Sequence, residues 1–342
     1  LAQFLEYLES GERDPEEITF MEPQAGGACR AGNIYNLLQR VLYRMAEQGQ
    51  LEYAQIPVIS LNLMGEEKHT GFRITPSLLS GGIAAGCYGD LIMCLYQQVK
   101  PYEQNPGETD RIRSQVEKKL CESIRRHRNG RHTREKNYRY ACEVFSKVPV
   151  KPGKKKRVGI TGEIYMKYSK LGNDDIESFL LRQGMEPYSG GFINYCLYLV
   201  DTERYKAEKY QRNPIMAKAC AFVLHRLCEA QKHLLTVIGE TDRFQTDLPF
   251  PELKEKVQGI LAEGCNTGDG WLIAAEVIQY VEKGCGSVLI LHPFGCLVSH
   301  VCERGILQRL HARFPDVSIQ TIEYDYDQSK TLRESRILLA IS

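Results

Sequence analysis

Two cysteines lie in loops of matching design in opposite halves of the chain. In the first, an apolar strand-like run leads through Pro23, Gly26 and Gly27 to Cys29; in the second, a similar run leads through Pro293 and Gly295 to Cys296. Helix-like sequence follows each cysteine. A thiol at the first turn of a helix feels the positive end of the dipole and unpaired backbone N–H groups. Both favour thiolate, the form that binds iron or zinc and attacks electrophiles. The glycines leave room for a bulky inorganic group and turn further N–H donors toward it. A buried cysteine after a tight turn would give the same letters, since free cysteine is often a core residue.

Other residues belong to the same inventory. Cys265 precedes Asn266-Thr267-Gly268-Asp269-Gly270 in a loop leading to a helix, and is the best additional ligand. His292 and His300 flank Cys296 and could donate hydrogen bonds to cluster sulfur. Cys87 and Cys94, like Cys220 and Cys228, have helical spacing and read as core; Cys285 and Cys302 read as structural. Glu163 and Tyr165 follow a Gly-bearing turn, where a ligand contact and a carboxylate at a helix N-terminus are equally compatible with the pattern. Trp271, the only tryptophan, reads as packing at a domain interface. The chain has no C-x-x-C, no G-x-x-x-x-G-K-[ST], no G-x-S-x-G and no H-E-x-x-H. Zinc-ribbon, P-loop, serine-hydrolase and zincin chemistry are therefore not expected.

The elements that must hold these loops alternate. Residues 17–22 and 56–63 read as strands around a helix over 30–48, the pattern of a parallel α/β sheet. Pro76 suits the first turn of a long helix after Thr75. Residues 107–148 read as helical and basic, and Lys151–Lys156 (KPGKKK) as a solvated linker. The pattern then restarts with a strand at 157–161, a helix at 173–184 and a long helix at 215–239. A helix at 271–283, a strand at 287–291, a helix at 297–313, a strand at 317–323 and a helix at 331–339 complete it. The expected fold class is α/β, with two flavodoxin-like or Rossmann-like lobes of largely parallel strands. Their boundaries are 1–105 and 157–342, joined by the basic helical segment 106–156.

The chain of 342 residues is 43% hydrophobic and 25% charged, an ordinary globular composition. Its net charge is only +1, yet seventeen Lys and Arg stand against four Glu between Arg111 and Arg157. Aromatic residues are scarce there before Tyr138, so a solvated helix face is expected rather than RNA binding. Phosphates of CoA or an acidic ATPase are further candidates for that surface. The longest apolar run noted, 288–298, is broken by His292, Pro293 and Gly295, so no membrane span is expected. Twelve cysteines without a secretory leader point to a reducing, cytoplasmic setting. The start at Leu1 reads as a piece of a longer protein.

Several motifs, in order along nearly the whole chain, resemble one family. The stretch Gly26-Gly27-Ala28-Cys29-Arg30-Ala31-Gly32-Asn33 is similar to a conserved-type element of the acyl-CoA dehydratase activase-related proteins. These are relatives of the iron–sulfur subunits of 2-hydroxyacyl-CoA dehydratases and of the double-cubane cluster proteins. The resemblance continues in Tyr88-Gly89-Asp90-Leu91, Val99-Lys100-Pro101-Tyr102-Glu103, residues 158–165 and Leu171-Gly172-Asn173. It ends with Gly268-Asp269-Gly270-Trp271, Pro293-Phe294-Gly295-Cys296-Leu297 and Glu323-Tyr324-Asp325.

The resemblance implies an iron–sulfur cluster, 4Fe–4S or double-cubane, at a cleft shared by the lobes. Cys29 and Cys296 would be ligands, with Cys265 as an in-chain third and a further family cysteine N-terminal to Leu1. Gly26, Gly27, Gly295 and His300 would shape the cofactor site. The cluster would take low-potential electrons from an ATP-hydrolysing activator and pass them to a substrate such as an acyl-CoA. The rival reading is a scaffold domain of a large activase with no cluster of its own. No nucleic-acid partner is expected, and a homodimer stays open. Departures from the family pattern are Val298-Ser299 in place of Pro-Asn before His300, Ile290 where a second cysteine often stands, and Asp269 in place of Glu.

Overall fold

The computed structural model describes residues 2–23, 29–61, 75–210, 213–325 and 327–342. The chain divides into two compact units, Leu1–Arg73 and Ile74–Ser342. That division falls neither near residue 105 nor in the lysine-rich stretch 151–156.

The first unit holds α1 (Ala2–Ser10), β1 (Phe20–Pro23), α2 (Ile34–Glu47) and β2 (Val58–Leu61). The two strands pair in parallel, as the strand–helix–strand pattern requires. Leu8, Ile18, Leu42, Tyr53 and Ile56 form its small core, and the Tyr53 hydroxyl donates to the Leu8 carbonyl at 3.4 Å.

The second unit begins with three helices, α3 (Pro76–Val99), α4 (Glu108–Arg125) and α5 (Arg131–Ser146). Thr75 caps α3 by accepting from the Leu78 N–H, and Pro76 occupies the first turn. Strand β3 (Arg157–Gly162) follows, then α6 (Ile164–Tyr168), α7 (Ile176–Arg182), β4 (Glu186–Tyr188), α8 (Phe192–Lys209), α9 (Pro214–Gly239) and α10 (Phe250–Glu255). The chain ends with α11 (Gly270–Glu282), β5 (Ser287–Pro293), α12 (Arg304–Arg313), β6 (Ser318–Tyr324) and α13 (Lys330–Ile341).

Strands β4-β3-β5-β6 form one all-parallel sheet. Both of its faces are covered, which explains the unbroken apolar run in β5. Val288 and Ile290 point into a large core with α11 and the helices α3, α5, α8 and α9. Leu289 and Leu291 point into a second core with Ile176, Leu180, Ile337 and Ile341. The mixed α/β class is thus as expected.

The basic helices are part of the second unit, not a connector. Buried Ile112, Val116, Leu120, Tyr138, Ala141 and Phe145 tie α4 and α5 into the large core. Their charges lie outward and pair along each helix, as in Arg113–Glu117 at 2.7 Å and Lys147–Glu143 at 2.6 Å. Residues 151–154 are exposed loop. The loop is nevertheless fastened, because the Tyr102 hydroxyl accepts from the Lys155 N–H and donates to Glu186.

The helical stretch 76–102, of mean hydropathy 1.5, is long and apolar enough to cross a membrane by length and composition. Seven of the α3 residues are nonetheless buried within the unit, Leu91 and Leu95 fully so.

Candidate functional site

Strand order sets where a site can form. From β3 the chain crosses to β4 on one side, and β5 then joins β3 on the other, so the winding direction reverses between β3 and β5. In open parallel sheets the crevice beyond the carboxyl ends at such a reversal is the place for ligands. Here it is flanked by Gly162-Glu163 after β3 and His292–Cys296 at the end of β5.

Gly162 lets β3 end there. Its φ is +129°, and a Cβ would lie 2.0 Å from the Leu291 carbonyl oxygen of β5. Glu163 then caps α6, accepting from the Met166 N–H at 3.1 Å. The helix-terminus reading of this carboxylate is the one its geometry fits, while Tyr165 projects to solvent.

On the β5 side the chain turns through Phe294 and Gly295, the latter at φ +71°. Cys296 closes the turn with an N–H bond to the Pro293 carbonyl, and its own carbonyl accepts the His300 N–H. The helix expected from Leu297 does start there, but its first turns widen into a π-helical segment over Ser299–Glu303 before α12. Such segments recur at functional sites because they re-aim side chains.

Cys296 is half-buried. Its thiol pKa is raised, first by burial and then by the charges of Glu303 and Glu163. The expected thiolate-favouring effect of the helix terminus is therefore outweighed. Cys302 lies near enough to Cys296 and Cys265 to feel both, and burial with these neighbours pushes its thiol up to about 11. Cys265 is half-buried, and its carbonyl accepts the Trp271 N–H. Among the described residues no three thiols lie within 4.8 Å of one another, and Cys302 reads from the sequence as structural. Buried carboxyls lie nearby. Glu303 is pushed up to about 8, first by burial and then by nearby Glu163. Asp269 is raised well above the usual range by burial and by Glu163, Glu303 and Glu276.

Beside the thiols stands a second group. His292 of β5 pairs in register with Glu323 of β6. The His292 ring is fully buried, its Nδ1 is 3.9 Å from Glu323 Oε2, and its Nε2 has no hydrogen-bond partner among the described residues. Burial lowers its pKa. His300 Nε2 lies 3.5 Å from the same Glu323 oxygen, and its Nδ1 lies 2.7 Å from the Cys296 carbonyl. Arg304 reaches that oxygen at 3.0 Å.

Neither a family model, nor a curated protein, nor a solved structure matches the chain.

Of the residues singled out by sequence, Cys296, Cys265, Gly295 and His300 fall together at the crevice of the second unit. Cys29 belongs to the first unit, half-exposed, in the residue before a short 3-10 turn at Arg30–Asn33. Gly26 and Gly27 lie outside the described residues. Trp271 is buried inside the second unit against Tyr198 and Phe250, not at a boundary between units. Glu323 was missed as a partner of the histidines. The available signal was positional: His292 and Glu323 are each the sixth residue of parallel strands that begin level, at Ser287 and Ser318.

Proposed function

We propose that this chain is an iron–sulfur cluster-binding protein of the acyl-CoA dehydratase activase-related group. In this reading it accepts low-potential electrons from an ATP-hydrolysing activator and passes them to a substrate. The observation that carries the reading is the position of Cys296, in the turn that ends β5 beside the point where the strand order of the parallel sheet reverses. The strand order, which is that of the first four strands of a flavodoxin-like sheet, supports the lobe architecture the resemblance implies. Thiols are the donors such clusters take, and Cys296 would supply one of them.

A 4Fe–4S or double-cubane cluster supplies one-electron transfer at a potential tuned by its surroundings. The chain's own contribution is positioning. The Gly295 turn fixes the Cys296 backbone, and the π-helical segment holds Cys302 on the same side. Phe294, Leu297 and Val301 expose apolar surface around Cys296, the kind of patch on which an activator would seat. Cys29, in the first unit, is a candidate ligand through the resemblance alone.

Anaerobic purification tests this directly. Brown protein with broad visible absorption is expected, with colour lost in Cys296→Ser and Cys29→Ser but kept in the control Cys220→Ser. A colourless anaerobic preparation would overturn the reading and favour a scaffold without a cluster.

A further inference from the structure

The geometry points to a site for a single divalent transition-metal ion, held by His292, His300 and Glu323 where β5 and β6 end. It depends on no cluster, because Cys296 enters only through its backbone carbonyl.

One ligating atom from each of the three side chains lies within 4.8 Å of the others. Around a tetrahedral ion with bonds of 2.0–2.1 Å, ligand atoms sit about 3.3 Å apart. Closing the site therefore needs side-chain adjustment, not a change of fold. The strands do most of the work, since register alone sets His292 opposite Glu323. The π-helical segment then carries His300 back over the strand ends, its ring meeting that of His292 edge to face at 5.4 Å between centroids.

Tautomer logic sharpens the case. A carbonyl oxygen only accepts, so the 2.7 Å contact with the Cys296 carbonyl requires the proton of His300 on Nδ1. His300 Nε2 then faces a Glu323 carboxylate oxygen 3.5 Å away. A carbonyl that fixes one imidazole nitrogen while the other ligates is the usual outer support of a metal-binding histidine. Arg304, at 3.0 Å from Glu323, orients the carboxylate in the same way. His292 adds a fully buried imidazole whose Nδ1 lies 3.3 Å from the Pro293 carbonyl and whose Nε2 has no hydrogen-bond partner among the described residues.

Two imidazoles and one carboxylate are the donor set of open zinc and non-haem iron sites, with coordination positions left for water. His300 is 38% exposed, so the open side faces solvent. The ion class is a borderline divalent metal such as Zn2+ or Fe2+, not Ca2+ or Mg2+, which take oxygen donors.

Anaerobic titration of the full chain with Co2+ is the test, because cobalt's spectrum separates nitrogen and oxygen ligands from thiolates. One equivalent should bind with weak visible ligand-field bands, lack thiolate-to-cobalt charge transfer, and be displaced by Zn2+. His300→Ala and Glu323→Gln should each weaken this binding by at least about tenfold, while Cys296→Ser leaves it intact. His300 is solvent-accessible, so its replacement leaves the fold in place, as near-UV circular dichroism would verify. A titration unchanged by His300→Ala would overturn the proposal. So would cobalt binding found only with thiolate charge transfer and abolished by Cys296→Ser. A colourless protein, fatal to the cluster reading, would leave this titration as it is.

Discussion

Lys167 and Glu276 carry opposite charges, and both are buried, 7% and 2% exposed. Lys167 Nζ lies 2.8 and 2.9 Å from the two carboxylate oxygens, and the Thr161 hydroxyl donates to one of them. A pair so placed adds little net stability, because desolvation offsets the attraction, but breaking it strands a charge in the interior. Lys167→Met should therefore cost about 3–5 kcal/mol in urea unfolding. The double replacement Lys167→Met with Glu276→Leu should recover most of that loss; a double variant no better than the single would refute the stranded-charge account. Gly162 makes a stricter demand, since a side chain there meets the Leu291 backbone and φ is +129°. Gly162→Ala should destabilise the chain by on the order of 3 kcal/mol and distort the turn that presents Glu163. An alanine variant with unchanged urea midpoint would show that β3 can end in another way.

Between elements, the most unusual contact is a helix cap supplied from elsewhere. Asp90, in the middle of α3, accepts the N–H groups of Phe192 and Ile193 at the start of α8. Gly191 is required by that approach, as a Cβ would lie 2.3 Å from the Asp90 carboxylate. Burial lifts the Asp90 pKa from 3.8 to about 7, opposed by the two N–H bonds and reinforced by nearby Asp247. The folded state therefore binds this proton more tightly than the unfolded chain, so its contribution is fully present below about pH 4. It is lost as pH rises to about 7. Measured as the stability difference between wild type and Asp90→Asn, the wild type should lose ground steadily between pH 4 and pH 7 and hold level above. A difference curve flat across that range would refute the assignment. Sequence reasoning did not find this cap, although Ser189-Gly190-Gly191 before a helix was a visible cue. It did find the elements whose pattern is local: the capped start of α3 at Thr75-Pro76, the apolar run of β5, and the Pro–Gly–Cys turn before Cys296. It missed β4, three residues including Pro187 at the sheet edge, where too few positions exist for a period to show. The lysine-rich 151–156 has the composition of a linker, yet the tie through Tyr102 that makes it an internal loop is a long-range fact. Glu323 is the same kind of case, since its partnership with His292 follows from register rather than from either local sequence.

At the scale of the molecule, the large core of the second unit joins the parallel sheet to a helical layer, and Trp271 sits in the middle of it. The indole is 1% exposed, with ring contacts to Tyr198 at 5.1 Å and Phe250 at 5.8 Å. Tyr198, Phe250 and Lys254, which meet its ring, all lie after residue 74, and it is the only tryptophan of the 342 residues. Intrinsic tryptophan fluorescence therefore reports on the second unit alone. Residues 74–342, expressed without the first unit, should show the blue-shifted emission of a buried indole and lose it in one cooperative urea transition, because sheet and helical layer share one core. The helical layer is where this prediction is most exposed to failure. If α3, α4 and α5 instead belonged with the first unit, as a boundary at residue 156 implies, then residues 157–342 alone should retain the same emission and cooperativity. The structure predicts the opposite for that shorter piece. Removing α3 and α5 uncovers Tyr188, Leu197 and Leu234 of the shared core, and red-shifted emission with a broad transition should follow.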